Sequence, residues 1–329
     1  MRAVVTGATG FIGSRLAMDC LARAQEVVAF GLRNNPAEAE NAAALAERGA
    51  KLAVGSVTDR QAVREAVAGA DVVYHLAAAQ HEANIPDERF EEINVEGARL
   101  VAQESARAGV PRLVHGSTIG VYRAEHGRRV TEQAALEPRN IYGRTKLAGE
   151  RAVKAESGSL SVATLRISET YGPGDMRLLK LFRGVQKGRF PLVGSGRNRH
   201  HLIYIDDLVR ALRLAAEMEN PPSEPVVVAG PRAVSTREMI RLAAEAVEGW
   251  SSAPAIPAGP MRLLALLTEK ICQPFGIQPP LHRRRLNFFL LDYEFDTAKA
   301  EQALGFRAEI PPEEGFRRTA AWYRQQQLM

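Results

Sequence analysis

The sequence predicts an α/β fold: a doubly wound parallel sheet followed by a smaller, mostly helical C-terminal cap. Three observations carry this. Short apolar runs at 3–6, 27–30, 51–54, 72–76, 113–115 and 162–166 alternate with helix-length segments rich in Ala, Glu, Arg and Leu. Continuously apolar strands belong to sheets covered on both faces, and right-handed crossovers between them wind the sheet in both directions. The first run leads straight into a glycine-rich turn. After about residue 170 the pattern changes, and Gly and Pro punctuate helical stretches at about 207–218, 236–247, 261–272, 297–304 and 312–326.

In chain order, the first run ends in Thr6-Gly7-Ala8-Thr9-Gly10-Phe11-Ile12-Gly13, which opens a helix. Without side chains at Gly7, Gly10 and Gly13 the backbone turns tightly and comes close to a pyrophosphate. The helix N-terminus then offers free N–H groups and a partial positive charge. A strand–turn–helix context is what this motif's mechanics require, and it points to a dinucleotide site. The second run ends in Val27-Val28-Ala29-Phe30-Gly31-Leu32-Arg33. Sites that prefer NAD place an acid here for the ribose 2′-hydroxyl. Gly31 stands at that position instead, and Arg33 can pair with a 2′-phosphate or simply sit on an exposed loop. The reading leans to NADP and leaves NAD open. The Ala-rich segment 37–46 reads as a plain helix.

Further along, Gly116-Ser117-Thr118-Ile119-Gly120-Val121-Tyr122 follows a strand, which places hydroxyls at the edge where doubly wound sheets bind ligands. Tyr142-Gly143-Arg144-Thr145-Lys146 sets a Tyr and a Lys four residues apart, on one face of a helix. An ammonium near a phenol favours the phenolate, so the Tyr can exchange a proton near neutral pH.

Composition narrows the function classes. Hydrophobic residues make up 46% and charged residues 25% of 329 residues, ordinary for a globular enzyme. The net charge of +5 reads as a mildly basic surface, as a basic mouth for an anionic cofactor, or as contact with an anionic membrane. The basic run Arg283-Arg284-Arg285 is too short to argue for nucleic acid. The two cysteines, Cys20 and Cys272, have no metal-ligand spacing and read as incidental thiols, so no metal site is expected. The N-terminal apolar run is too short for a signal peptide, and no segment reaches the apolar length of a membrane span, which makes the cytoplasm the expected location.

Together these motifs resemble the extended short-chain dehydrogenase/reductases, the group also called NAD-dependent epimerase/dehydratases. The resemblance extends through Tyr74-His75-Leu76-Ala77-Ala78, Asn94-Val95-Glu96-Gly97, Tyr171-Gly172-Pro173-Gly174, Ile205-Asp206-Asp207-Leu208 and the tail from Phe295 to Phe306. It implies a Rossmann NAD(P)-binding domain over 1–170 and a substrate-binding cap over 171–329, interleaved with the last strands of the sheet. It implies Thr118, Tyr142 and Lys146 as catalytic residues. It places Gly7, Thr9, Gly10, Phe11, Ile12, Gly13, Arg33, Ser56, Val57, Leu76, Ala77, Ala78, Asn94, Tyr142 and Lys146 against the cofactor, with Ser56 standing where the family usually has Asp. A homodimer, formed through the helix bearing Tyr142 and its neighbour, is also implied.

Departures from the family pattern bear on the substrate. Ile119-Gly120 replaces the acidic pair of the dehydratases, which argues against dehydration. Glu169 replaces an Asn that meets the diphosphate in nucleotide-sugar epimerases, and a carboxylate there repels a diphosphate. His200 replaces an Arg, with Arg199 one step away. Ser117, Glu169 and His200 are the expected substrate-side residues. The segment from Met261 through Leu267 to Ile271 is apolar over most of a helix, which suits a lid over a greasy substrate, a membrane-facing surface, or packing in the cap or at a dimer interface. The expected activity is hydride transfer on a secondary alcohol or ketone of an apolar, steroid- or isoprenoid-like substrate, as in the 3β-hydroxysteroid dehydrogenase-like branch. The alternatives are a nucleotide-sugar 4-epimerase that retains its NAD and a non-catalytic NADP-binding protein.

Overall fold

Each of the six apolar runs becomes a strand in the computed structural model, which describes residues 1–80, 86–123, 127–250, 255–272, 289 and 291–329. The strands are β1 (Arg2–Thr6), β2 (Glu26–Gly31), β3 (Lys51–Val54), β4 (Val72–His75), β5 (Arg112–Thr118) and β6 (Ser161–Ile167). Short strands follow at β7 (Glu169–Tyr171), β8 (Leu192–Val193), β9 (Arg199–His200), β10 (Leu202–Tyr204), β11 (Val226–Val228), β12 (Val234–Ser235) and β13 (Ala255–Ile256). The main sheet has seven strands in the order β11-β6-β5-β4-β1-β2-β3. All its pairings are parallel. The chain winds outward from β1 to β3, then restarts with β4 on the other side of β1. That reversal opens a crevice beyond the C-terminal ends of β1 and β4, where Thr6 pairs with His75.

Alternation along the strands decides which helices cover which face. In β1, Ala3 and Val5 point to one core and Val4 to the other. The first face is covered by α1 (Phe11–Ala22), by α8 (Ile205–Glu217) and by the helix Ala298–Leu304. The second is covered by α3 (Arg60–Val67), α5 (Ala98–Arg107) and Val153 of α6 (Ile141–Glu156). A separate aromatic-rich core joins α7 (Leu179–Gln186), α9 (Thr236–Val247) and the C-terminal helix Pro312–Gln325 around Phe182, Phe316 and Tyr323. The family-typical Asp207 ties these parts together, because its buried carboxylate accepts the Glu309 and Ile310 N–H groups.

Helix ends follow local chemistry. Ser235 caps α9 by accepting the Glu238 N–H at 3.1 Å, and Asn140 caps α6 by accepting the Gly143 N–H at 2.8 Å. Two features depart from simple periodicity. Residues Glu92–Gly97 form a wide π-type turn between α4 (Asp87–Glu91) and α5, a feature that often marks functional regions. The apolar helix α10 (Ala258–Cys272) buries only Ala265, leaving Leu263, Leu264, Leu267 and Ile271 exposed. Arg283-Arg284-Arg285 lies outside the described residues. Among the described residues no helix is long and apolar enough to cross a membrane. Cys20 is buried and Cys272 partly buried, and both are free thiols.

Candidate active site

A cavity of about 1220 Å³ occupies the crevice at the β1/β4 reversal. Its floor at one end is the turn from β1 into α1. Gly7 adopts φ +68° and packs on Ala77, where an added Cβ would lie 2.9 Å from the backbone. At Gly13 a Cβ would meet the Gly7 carbonyl at 2.1 Å, so only glycine lets the helix start this close to the strand. Gly10 caps α1 with no side-chain hydrogen bond, and the first turn holds no acid. The N–H groups there stay available to an anion. Thr9, Phe11, Ile12, Leu76 and Ala78 complete this wall. The Thr6 hydroxyl accepts the Ala77 N–H at 3.2 Å, which fixes the loop leaving β4. These residues fit a dinucleotide: a side-chain-free cradle, an unneutralised helix N-terminus and a groove past the β4 loop.

Beyond β2 the wall is formed by Gly31, Leu32, Asn34 and Glu38, and after β3 by Gly55, Ser56 and Val57. The Ser56 hydroxyl accepts the Thr58 N–H at 3.2 Å. Glu38, in the first turn of α2 (Pro36–Glu47), turns its carboxylate back to accept the Asn34 N–H at 2.7 Å.

The candidate reactive groups cluster where β5 ends beside α6. Thr118 accepts the Gly120 N–H at 3.1 Å and hydrogen-bonds the Tyr142 phenol. Burial pushes the Tyr142 phenol up, while Thr118 and the Arg177 charge pull it back. One helical turn on, the buried Lys146 ammonium donates to the Gly116 carbonyl at 2.6 Å. Burial lowers its pKa to about 8 against the opposing charge of Glu150. Glu150 lies one further turn along α6. It receives both the Nε and Nη2 hydrogens of Arg166, at 3.0 and 2.8 Å, and the Ser117 hydroxyl. Arg166 also donates to the Tyr122 hydroxyl. This fully buried network stands behind the reactive cluster.

Beneath it His75 and His115 stack at 5.3 Å. Burial, reinforced by the Lys146 charge, lowers His75 to about 3 and His115 well below the usual value. Both therefore stay neutral in the fold while the unfolded chain protonates below about pH 6.5. Stability is then expected to fall as pH drops from about 6.5 to 5, by up to about 1.4 kcal/mol per histidine per pH unit. Urea midpoints at pH 7 and pH 5 check this, and an unchanged midpoint over that window would sink it.

At the end away from the glycine turn the wall is formed by Ile119, Ile167, Glu169, Met176 and Arg177. Glu169 faces His200, whose Nδ1 lies 3.1 Å from its carboxylate. Burial would push Glu169 up, but the charge and hydrogen bond of His200, with Arg177, hold it below the usual range. Arg177 follows the turn at Gly174. It donates through Nε to Asp175 at 2.9 Å and through Nη2 to the Thr170 carbonyl.

The family model for the "NAD dependent epimerase/dehydratase family" matches residues 3–230. The chain belongs to this family. It is an NAD-dependent oxidoreductase of the extended short-chain dehydrogenase/reductase type. It is 29% identical to the 2-alkyl-3-oxoalkanoate reductase of Stenotrophomonas maltophilia, over 98% of this chain and 99% of that protein. It is 34% identical to sterol demethylase protein B of Methylococcus capsulatus over 54% of each chain. Among solved structures, MoeE5 in complex with UDP-glucose and NAD aligns with a TM-score of 0.77 at 25% identity, covering 99% of this chain and 100% of that one.

The glycine turn is where a lost fit should be felt first. Gly13→Ala forces the turn apart, at a strain of about 1–3 kcal/mol, which corresponds to roughly 10- to 100-fold weaker NADH binding. A fluorescence titration with NADH, alongside a circular-dichroism check of folding, measures this. Unchanged affinity contradicts it.

Most residues expected at the site line the cavity together: Gly7, Thr9, Gly10, Phe11, Ile12, Gly13, Ser56, Val57, Leu76, Ala77, Ala78, Ser117, Thr118, Tyr142, Lys146 and Glu169. Three do not. Arg33 is exposed and outside the wall, because the chain turns away after Leu32 and presents Asn34 and Glu38. Asn94 is buried with its amide spent on Ala79, at 2.8 and 3.1 Å, and on Thr145 at 3.0 Å, so it fastens the β4 loop to α6. His200 is buried behind Glu169 and also contacts Thr236 at 3.0 Å. The apolar helix α10 contributes nothing to this wall among the described residues. Glu38, Glu150, Arg166 and Arg177 were not read from the sequence. Glu150 had a signal, since it extends the Tyr142, Lys146 series by one more helical turn.

Proposed function

We propose that the protein transfers hydride between NAD and a secondary alcohol or ketone on an apolar substrate. The observation that carries this reading is that Thr118, Tyr142 and Lys146 line the same cavity as the glycine cradle. In this reading Gly7, Gly10 and Gly13 hold the pyrophosphate, and Lys146 holds the nicotinamide ribose. NAD supplies the hydride acceptor or donor when bound. Thr118 and Tyr142 grip the reacting oxygen. Tyr142 takes the hydroxyl proton in oxidation and returns it in reduction. Ile119, Ile167 and Met176 give the substrate an apolar wall. The sterol- and oxoalkanoate-directed names of two relatives support an apolar substrate.

NAD rather than NADP is the cofactor in this proposal. Glu38 lines the cavity and Arg33 does not, and a carboxylate disfavours a 2′-phosphate. The competing reading, a nucleotide-sugar 4-epimerase, draws on the likeness to MoeE5. Glu169 on the wall, in place of a neutral side chain, speaks against a diphosphate there.

The test is a titration of purified protein with NADH and NADPH, after mass spectrometry for any copurified cofactor, followed by nicotinamide absorbance with candidate alcohols. Exchangeable NADH binding with net absorbance change supports the reading. Copurified NAD that does not exchange, with no net change on turnover, moves the assignment to the epimerase.

A further inference from the structure

We infer that Glu169 is a specificity-determining residue that accepts a hydrogen bond from a second hydroxyl of the substrate, one or two carbons from the reacting carbon. This deepens the hydride-transfer reading and rests on it.

A carboxylate is an unfavourable group on a wall meant for an apolar molecule. Glu169 stands on the same wall as Ile119, Ile167 and Met176, with 34% of its side chain exposed. It stays ionised despite burial, because the charge and hydrogen bond of His200, with Arg177, hold it below the usual carboxylate range. Among the described residues its hydrogen-bond donor is His200, whose Nδ1 lies 3.1 Å from one oxygen and 3.5 Å from the other. That imidazole is buried and fixed in turn by the Thr236 hydroxyl, 3.0 Å from Nε2. The carboxylate is therefore held from behind. An ionised carboxylate has about four acceptor sites, and one donor leaves most of them open. A wholly apolar substrate closing over it would bury a charge with its hydrogen bonds unmade. A substrate that brings a donor removes that penalty, so the group selects for one.

The charges around it decide what kind of donor. Asp175 and Arg177 are paired with each other, Nε to carboxylate at 2.9 Å. Of the remaining charges, Glu169 disfavours an anion and the Lys146 ammonium, on the same cavity, disfavours a cation. A neutral hydroxyl meets neither penalty. The strand register places it. Thr118, which grips the reacting oxygen in this reading, is paired with Ile167 across β5 and β6. Glu169 follows two residues after Ile167, so its Cα lies roughly 8 Å from that of Thr118 by ordinary strand spacing. The two side chains and their hydrogen bonds span that distance, so the oxygens they hold belong to adjacent or next-but-one carbons. In oxidation, the carbinol C–H bond breaks and its hydride passes to NAD⁺, while the proton of that hydroxyl passes to Tyr142. The second hydroxyl stays intact, and the products are a hydroxyketone, NADH and a proton.

The test compares octane-1,2-diol with octan-2-ol, and octane-1,3-diol with octan-3-ol, as substrates with NAD⁺ in the wild type, Glu169→Gln and Glu169→Leu. 1-Aminooctan-2-ol and 1-aminooctan-3-ol put an ammonium in place of the second hydroxyl. In parallel, calorimetry measures both diols binding to the NADH complex of each protein. The wild type should prefer a diol over its mono-alcohol by roughly 10- to 100-fold in kcat/KM, as a hydrogen bond to a charged group is worth. Glu169→Leu should bring that ratio to about one and weaken diol binding by the same factor. Glu169→Gln, which keeps a neutral acceptor, should keep part of it. The ratio is the readout because a general loss of activity leaves it alone. Equal turnover within both pairs by the wild type, or a ratio that survives Glu169→Leu, overturns the inference and leaves hydride transfer standing. An amino alcohol preferred over its diol overturns the hydroxyl. Diol bound through Glu169 with no alcohol oxidised keeps the hydroxyl site and overturns the hydride-transfer reading. Absence of both diol binding and diol turnover overturns the hydroxyl site.

Discussion

Tyr142→Phe is expected to lower kcat by about 10²- to 10⁴-fold while NADH still binds. The substitution keeps the ring against its neighbours and removes only the hydroxyl. That hydroxyl hydrogen-bonds Thr118 and is the acid/base of the proposed mechanism. The loss corresponds to about 3–5 kcal/mol of transition-state stabilisation. The pH profile should change with it. In the oxidation direction the phenol must give up its proton before it can accept one from the substrate. Burial raises the pH at which it does so, and Thr118 and Arg177 bring it down. Wild-type oxidation should therefore rise with pH up to the Lys146 ionisation at about 8, and the residual activity of Tyr142→Phe should lose that rise. Steady-state kinetics from pH 6 to 10 measure both effects. Near wild-type turnover in the variant would show that another group moves the proton.

What the sequence made legible was what depends on neighbours along the chain. The strand runs, the glycine turn and the Tyr/Lys spacing are local, and each sits in the structure where its own period or backbone requirement puts it. The sheet's order follows from handedness and crossover length. What escaped were contacts made across the fold. Arg166 is an ordinary residue of β6 until the β5–β6 register sets it opposite Ser117, and Glu150 then meets it from the helix above. Arg177 looks like any exposed loop arginine until the turn before it delivers its head into the cavity. Asn94 lies off the cavity wall for the converse reason. Its family-typical position suggested the cofactor, but a buried amide must satisfy its hydrogen bonds where it lies, and Ala79 and Thr145 are the groups within reach. Glu38 returns to the cavity mouth only because α2 begins with a capping turn at Asn35. A strand-end motif read alone has no way to include it.

Glu150 joins stability to chemistry, and two variants separate the parts. Glu150→Gln leaves the Arg166 guanidinium buried without a charged partner. Breaking one half of a buried pair costs about 3–5 kcal/mol, so the variant should unfold at clearly lower urea than the wild type. It also removes the charge that opposes the burial penalty on Lys146. The Lys146 pKa, already lowered to about 8, should fall further. Activity that requires the ammonium should then be lost at a lower pH. Glu150→Met combined with Arg166→Met replaces both charges by apolar groups of similar length. Such exchanges of a buried pair are often close to neutral, so much of the lost stability should return, less whatever Ser117 and Tyr122 lose as partners. The Lys146 environment does not return, because no anion has been restored beside it. The double variant should therefore recover the urea midpoint while keeping the shifted alkaline limb of the pH–rate profile. If stability and pH profile instead recover together, Glu150 acts only by holding α6 in place. If neither recovers, the network is needed as a geometric brace between α6, β5 and β6, and its charge on Lys146 is incidental.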